Sequence, residues 1–277
     1  MQIDESLTHV LAWRGRSVHW QSFGEGPALV LLHGTPWSSA LWRPIAEALS
    51  TQFTVYLWDM PGYGSSSKDP SHPVDLGLQG ELFAELLDFW GLERPHVVAH
   101  DFGGAVALRA RLLHGAAYAS LCLVDVVALS PWGSPFFTLV KEHAAVFEQL
   151  PAAVHRGAVE AYIRGASHAG LGADDLATLV DPWADEEGQA AFYRQIAQAD
   201  ERFTDEVEPL YGTITEPVHI VWGNEDTWIP SDRAQRLSDY IPHATLTLIN
   251  GAGHLIHLDA PAALAAELTR WLSTVAQ

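Results

Sequence analysis

The chain has little cysteine, little positive charge and no long apolar run. Cys122 is the one cysteine in 277 residues, so no internal disulfide is available and a reducing, cytoplasmic compartment is expected. In the apolar run Leu121-Cys122-Leu123-Val124 this thiol reads as a packing residue. Lys and Arg number 15 against 34 Asp and Glu, a formal net charge of -19. That balance excludes a phosphate-binding face, and with it nucleic acid as a partner. No stretch approaches the roughly 20 apolar residues that cross a bilayer, so no membrane partner is expected. Met1-Gln2-Ile3-Asp4-Glu5-Ser6 lacks the basic-then-apolar order of a secretory signal. No His, Cys and acidic cluster has metal-ligand spacing and no glycine-rich phosphate loop occurs, so neither metal nor cofactor is expected.

What remains is an ordinary globular composition, 48% hydrophobic and 18% charged, in a chain long enough for a large core with an inserted subdomain. Val10 to Trp13 and Ser17 to Phe23 predict a hairpin. Ala28 to Leu32, Phe53 to Trp58, His96 to His100 and Ser120 to Val126 predict strands, and the continuous apolar runs among them suit burial on both faces. Helical spacing runs from Ser39 to Leu49, Leu76 to Trp90 and Gly104 to Leu113. This alternation implies a mostly parallel twisted sheet with helices on both faces. It breaks from about Ser130 to Tyr211, where only helical stretches appear, punctuated by Pro131, Pro135, Pro151 and Pro182. It resumes with strands at Pro217 to Trp222 and Thr245 to Ile249, and helices at Ser231 to Tyr240 and Ala260 to Leu272. The expected organisation is a core of residues 1–129 and 214–277 with a helical cap of 130–213 making one wall of a pocket.

The most informative segment is Val97-Val98-Ala99-His100-Asp101-Phe102-Gly103-Gly104. An apolar strand runs into an acid with small residues two before and two after it, and a helix leaves at once. This is the nucleophile-elbow pattern, in which a tight strand-to-helix turn lifts one side chain clear of the sheet edge. Three further signals fall at strand ends: His33-Gly34-Thr35-Pro36, Trp222-Gly223-Asn224-Glu225-Asp226 and Gly251-Ala252-Gly253-His254. The order of nucleophile, acid and histidine is that of α/β-hydrolases. Asp125, closing an earlier strand, is the alternative acid to Asp226, and otherwise a capping residue.

On these motifs, together with Asp59-Met60-Pro61-Gly62-Tyr63-Gly64, the chain resembles the α/β-hydrolase family over nearly its whole length. Within it, the chain is similar to the aspartate-nucleophile branch of epoxide hydrolases and haloalkane or haloacid dehalogenases. The resemblance implies an α/β-hydrolase fold. It also implies that Asp101 attacks a saturated carbon, since a carboxylate accepting an alkyl group forms an ordinary ester whereas one accepting an acyl group forms an anhydride. His254, oriented by Asp226, then activates water against that ester. The N–H groups of Thr35 and Phe102 form the oxyanion hole, one such donor contributing roughly 3–4 kcal/mol. His254 is preferred as base over His257, which points elsewhere.

Epoxide hydrolases protonate the leaving oxygen with two cap tyrosines. Phe192-Tyr193-Arg194 resembles the string carrying one of them, so Tyr193 is the expected donor. Phe147 stands where a second tyrosine is expected, with His143 or Tyr162 as substitutes. Haloalkane dehalogenases carry Trp where this chain has Phe102 and often Asn where it has Thr35, although Thr35 to Arg43 otherwise looks like their sequence. Fluoroacetate dehalogenases bind the substrate carboxylate with arginines where this chain has Phe102 and Ala105. His33, Trp37, His100, His143, Phe147 and Trp228 are the expected pocket residues, with His33 and His100 ordering the catalytic loops; Trp132 and Trp183 are further aromatic candidates. The expected activity is epoxide hydrolase-like, on a small apolar organic substrate with water, and haloalkane dehalogenase-like hydrolysis is the alternative. An α/β-hydrolase-fold protein without hydrolytic activity, a cofactor-free oxygenase or ligand-binding member, is the alternative of another class.

Overall fold

A computed structural model describes residues 7–276. Met1–Ser6, on which the absence of a secretory signal is read, lies outside them. The strands are β1 (His9–Trp13), β2 (Arg16–Phe23), β3 (Ala28–Leu32), β4 (Thr54–Trp58), β5 (His96–His100), β6 (Ser120–Val124), β7 (Val218–Gly223) and β8 (Thr245–Ile249). They form one sheet in the order β1-β2-β4-β3-β5-β6-β7-β8. β1 and β2 join it antiparallel and every other pairing is parallel.

Strand alternation sends side chains to two faces, and each face has its own core. Leu29, Leu31, Val98, Cys122 and Val124 pack with Trp42, Ile45, Leu264 and Leu268. Val30, Leu32, Val97, Leu121 and Leu123 pack with Leu82, Phe83 and Val106 on the other side. These faces are covered by helices α1 (Arg43–Leu49), α2 (Leu76–Trp90) and α3 (Phe102–Leu113) from the first half of the chain. Between β6 and β7 come only helices: α4 (Pro135–Phe147), α5 (Ala152–Arg164), α6 (Ala173–Val180), α7 (Glu186–Ala197) and α8 (Arg202–Asp205), with short 3-10 turns. α9 (Asp232–Tyr240), α10 (Ile256–Asp259) and α11 (Pro261–Val275) complete the fold. This is the α/β-hydrolase fold. No helix among the described residues is long and apolar enough to cross a membrane.

Several boundaries differ from the sequence pattern by a few residues, three of them in the segments that carry the candidate site. The helix expected over Ser39 to Leu49 is a 3-10 turn, Ser39–Trp42, followed by α1, because Pro44 sits in the first turn of α1 and has no N–H to continue a preceding helix. β6 ends at Val124 rather than Val126, since Asp125 takes φ +44° and leaves the strand. α3 begins at Phe102, directly after the candidate nucleophile.

Candidate active site

Asp101 sits between β5 and α3 with φ 51° and ψ -122°, a backbone conformation few L-residues adopt. Glycines beside it allow the close approach of the neighbouring backbone. A Cβ on Gly34 would come within 2.3 Å of Asp101 Oδ1, and one on Gly103 within 2.6 Å of the His33 carbonyl. The turn is fixed by hydrogen bonds from Gly104 N–H (3.0 Å) and Val127 N–H (3.1 Å) to the Asp101 carbonyl. Thr35 N–H donates to Asp101 Oδ1 at 2.6 Å. Phe102 heads α3, where backbone N–H groups have no intrahelical acceptor.

His254 lies opposite. Its Nε2 is 3.4 Å from Asp101 Oδ2 and its Nδ1 is 2.9 Å from Asp226 Oδ2. The other oxygen of Asp226 accepts the N–H groups of Trp228 (2.7 Å) and Ile229 (2.9 Å), so this carboxylate is oriented before it meets the imidazole. Burial by itself would depress the His254 pKa, but the Asp226 and Asp101 carboxylates outweigh it and hold the imidazolium well above its usual range. Asp125 makes no hydrogen bond to His254. Its Oδ1 accepts Gly223 N–H at 2.8 Å, and burial with Asp226 close by raises its pKa well above the carboxylate range. Burial and the Asp226 charge thus favour the protonated form of Asp125, while Asp226 is the acid hydrogen-bonded to His254.

A narrow, partly open pocket lies over Asp101. Apart from Thr35, Asp101 and Ser134 its walls are mostly apolar: Phe102, Val127, Trp132, Phe137, Tyr162 and Trp228. No Lys or Arg lines it. Trp228 stacks at once on His254 (5.2 Å between centroids), Tyr162 (4.3 Å) and Trp37 (5.7 Å). Tyr162 is kept neutral by burial, to which the Asp101 charge adds.

The remaining sequence candidates are placed elsewhere. Tyr193 is fully buried outside this cavity, and its hydroxyl is committed to His155. The Nε2–H of His155 donates to the Trp183 carbonyl (2.7 Å), so Nδ1 is the acceptor and Tyr193 O–H the donor at 2.8 Å. Phe147 packs on Tyr193 (5.5 Å) rather than over Asp101. His143 is exposed at a break in α4, with φ -133° and ψ 28°. Trp183 is buried with its indole on the Pro36 carbonyl. Trp37 backs Trp228 and does not line the cavity.

His33 and His100 do not line it either; both tie loops. Met60 N–H donates to His33 Nε2 (3.0 Å), leaving His33 Nδ1–H for the Gly34 carbonyl (2.9 Å). His100 Nε2–H donates to the His254 carbonyl at 3.0 Å, and burial keeps that ring neutral. His257 is buried against Trp42 (4.1 Å), its pKa pushed down to about 3 by burial and His254. One residue without a sequence motif stands beside the site: Gln195 of α7, whose Oε1 accepts from Thr35 Oγ1 at 2.6 Å and Tyr63 OH at 3.0 Å. The only available signal is a polar residue on the apolar face of an amphipathic helix.

Comparison with known proteins agrees with this geometry at the level of the fold. The profile described as "Alpha/beta hydrolase family" matches residues 29–267. A crystal structure of an alpha/beta hydrolase fold protein from Burkholderia ambifaria is 45% identical, with a TM-score of 0.93 over 95% of this chain and 97% of that one. A fluoroacetate dehalogenase from a Burkholderia species is 38% identical over 108 residues, 38% of this chain and 36% of that protein. A putative carbamate hydrolase, RutD, from Stutzerimonas stutzeri is 26% identical over 86% of this chain and 88% of that protein.

Proposed function

The chain belongs to the alpha/beta hydrolase family, and from that premise we propose that it hydrolyses an electrophilic saturated carbon through an alkyl ester on Asp101. One observation carries this reading: a carboxylate, not a hydroxyl, sits at the elbow with one oxygen on Thr35 N–H and the other 3.4 Å from His254. The pinned oxygen, Oδ1, stays in the oxyanion hole. The other, Oδ2, bonds to substrate carbon as the leaving group departs. Esterification removes the Asp101 charge, one of the two that raise the His254 pKa, so the imidazolium gives up its proton to solvent more readily and the neutral imidazole becomes the base. Water then adds to the ester carbonyl carbon, His254 takes its proton, and the electron pair moves to Oδ1. Collapse breaks the bond between the carbonyl carbon and Oδ2, and His254 gives its proton to Oδ2, so the product leaves as an alcohol carrying Oδ2; the new carboxyl returns its own proton to His254 and Asp101 is again a carboxylate.

An epoxide is the favoured substrate. Its oxygen stays in the product and needs a proton as the ring opens, and Tyr162, a phenol, lines the same pocket as Asp101. The apolar walls and the lack of a lining cation favour a neutral substrate, with aryl or alkyl substituents packed on Phe102, Trp132 and Phe137. A second reading, carbon–halogen hydrolysis by the same ester, is favoured by the likeness to a fluoroacetate dehalogenase. The cationless cavity then points to a neutral haloalkane rather than a haloacid. The buried thiol of Cys122 suits work in a reducing cytoplasm, with water as the only co-substrate.

The test is a panel of neutral epoxides and bromoalkanes against the wild type, Asp101→Asn and His254→Gln. The reading expects turnover by the wild type, none by Asp101→Asn, and a substrate-sized adduct on Asp101 in His254→Gln by intact mass. Halide release from a bromoalkane, with epoxides left untouched, selects the second reading.

A further inference from the structure

Gln195 belongs to α7, between β6 and β7, yet its side chain reaches the loop that follows β3. It is 2% exposed. Its carboxamide takes both the Thr35 and the Tyr63 hydroxyls, and its Nε2 is buried with no hydrogen-bond partner. Trp183 adds a second tie, from its indole N–H to the Pro36 carbonyl at 3.0 Å. Thr35 is thus gripped from two sides, its N–H on Asp101 and its hydroxyl on Gln195.

We propose that Gln195 is a positioning residue for the hydrolytic half of the reaction, fixing Thr35 so that its N–H meets the oxyanion that forms on Asp101. The inference rests on the Asp101 ester. During alkylation Oδ2 bonds to carbon and Oδ1 loses charge as it becomes the ester carbonyl. During hydrolysis the opposite happens: water adds, and negative charge develops on Oδ1. A donor aimed at Oδ1 therefore matters most in the second step. Exchanging the amide oxygen and nitrogen keeps the link, because Nε2–H would then donate to the same two hydroxyls. A purely structural role is disfavoured by the unpartnered Nε2, since replacing Gln195 with an apolar side chain of the same length removes a buried unpaired donor.

The experiment compares the wild type, Gln195→Met, Thr35→Val and the double variant, with His254→Gln as the trapping control. Each is mixed with styrene oxide, and separately with 1-bromohexane, and followed by rapid-quench intact mass and steady-state kinetics. The expected result is an adduct on Asp101 that becomes the main steady-state species in Gln195→Met. kcat should fall about tenfold while kcat/KM, which reports alkylation, stays within about twofold. Thr35→Val should behave alike, and the double variant should be no worse than Gln195→Met, because the two changes remove one interaction. Thr35→Val also answers the question if Gln195→Met does not fold. An adduct in His254→Gln but none in Gln195→Met or Thr35→Val overturns the role of Gln195, as does an equal fall of kcat and kcat/KM. No adduct in His254→Gln overturns the ester itself, and the inference with it.

Discussion

Tyr162 shares the cavity with Asp101, whose charge adds to burial in keeping the phenol protonated. Tyr193, on α7, donates its hydroxyl hydrogen to His155. Tyr162→Phe should therefore slow epoxide opening by roughly 10²-fold, the lower end of what a positioned general acid supplies. Tyr193→Phe should leave kcat within about twofold and lower stability by about 1 kcal/mol, the worth of one buried hydrogen bond. Steady-state kinetics and denaturant melts on both variants check this, and the reverse ranking would return the donor role to Tyr193.

The two buried acids near His254 should separate cleanly. Asp226→Asn removes the negative charge that orients His254 and stabilises its imidazolium, and should lower kcat by about 10⁴-fold, as the same change in a triad acid does elsewhere. Asp125→Asn keeps an oxygen for the Gly223 N–H and should cost little activity. Its effect is on stability against pH. The Asp125 pKa is raised on folding, so the folded state binds this proton more tightly than the unfolded one. That stabilisation is complete below the unfolded carboxyl pKa of about 3.9 and is lost as pH rises through the folded value. The Tm of Asp125→Asn minus that of the wild type should thus grow from acid towards neutral pH. A flat difference contradicts an upward shift of the Asp125 pKa on folding.

His254 carries a pKa raised by Asp226 and Asp101 against the effect of burial. Asp101→Asn takes one of those charges away and should lower it. An NMR titration of the His254 ring in the wild type and Asp101→Asn measures the shift directly. The same charge disappears on esterification, so the acid limb of kcat should fall at lower pH than the titration of the free wild-type ring. An unchanged or higher value in Asp101→Asn contradicts the coupling.

Gly34→Ala probes the elbow from outside. The added methyl would meet Asp101 Oδ1 at 2.3 Å and Asp101 Cβ at 2.4 Å, distances that force one of them to move. Turnover should drop by at least about 10²-fold, the cost of misplacing a reacting group by about 1 Å, while circular dichroism stays that of the wild type. Full activity in Gly34→Ala would mean that the carboxylate has freedom the elbow denies it.

The core was legible because its signals are local. Ala28 to Leu32 and Ser120 to Val124 are apolar runs of strand length, and Ala99, Gly103 and Gly104 announce a turn that larger residues would block. The helical stretch was legible only as helices. Which face of α5 or α7 meets Asp101 depends on how five helices stack, and periodicity carries no such information. Hence Tyr162 on α5 and Gln195 on α7 stand at the site, while Tyr193, two residues from Gln195 on the same helix, faces His155. The choice between Asp125 and Asp226 likewise depends on the backbone: both lie in loops that leave parallel strands, and Asp226 is the one whose side chain accepts the following N–H groups of Trp228 and Ile229.

The central claim is a covalent bond between Asp101 and substrate carbon, and a single turnover in ¹⁸O-water tests it most directly. With enzyme in excess over substrate, water attacks the ester carbonyl and product leaves with an oxygen from Asp101. The account requires ¹⁸O in the Asp101 peptide by mass spectrometry and unlabelled oxygen at the attacked carbon of the product. Label in the product alone, with the Asp101 peptide unchanged, contradicts it.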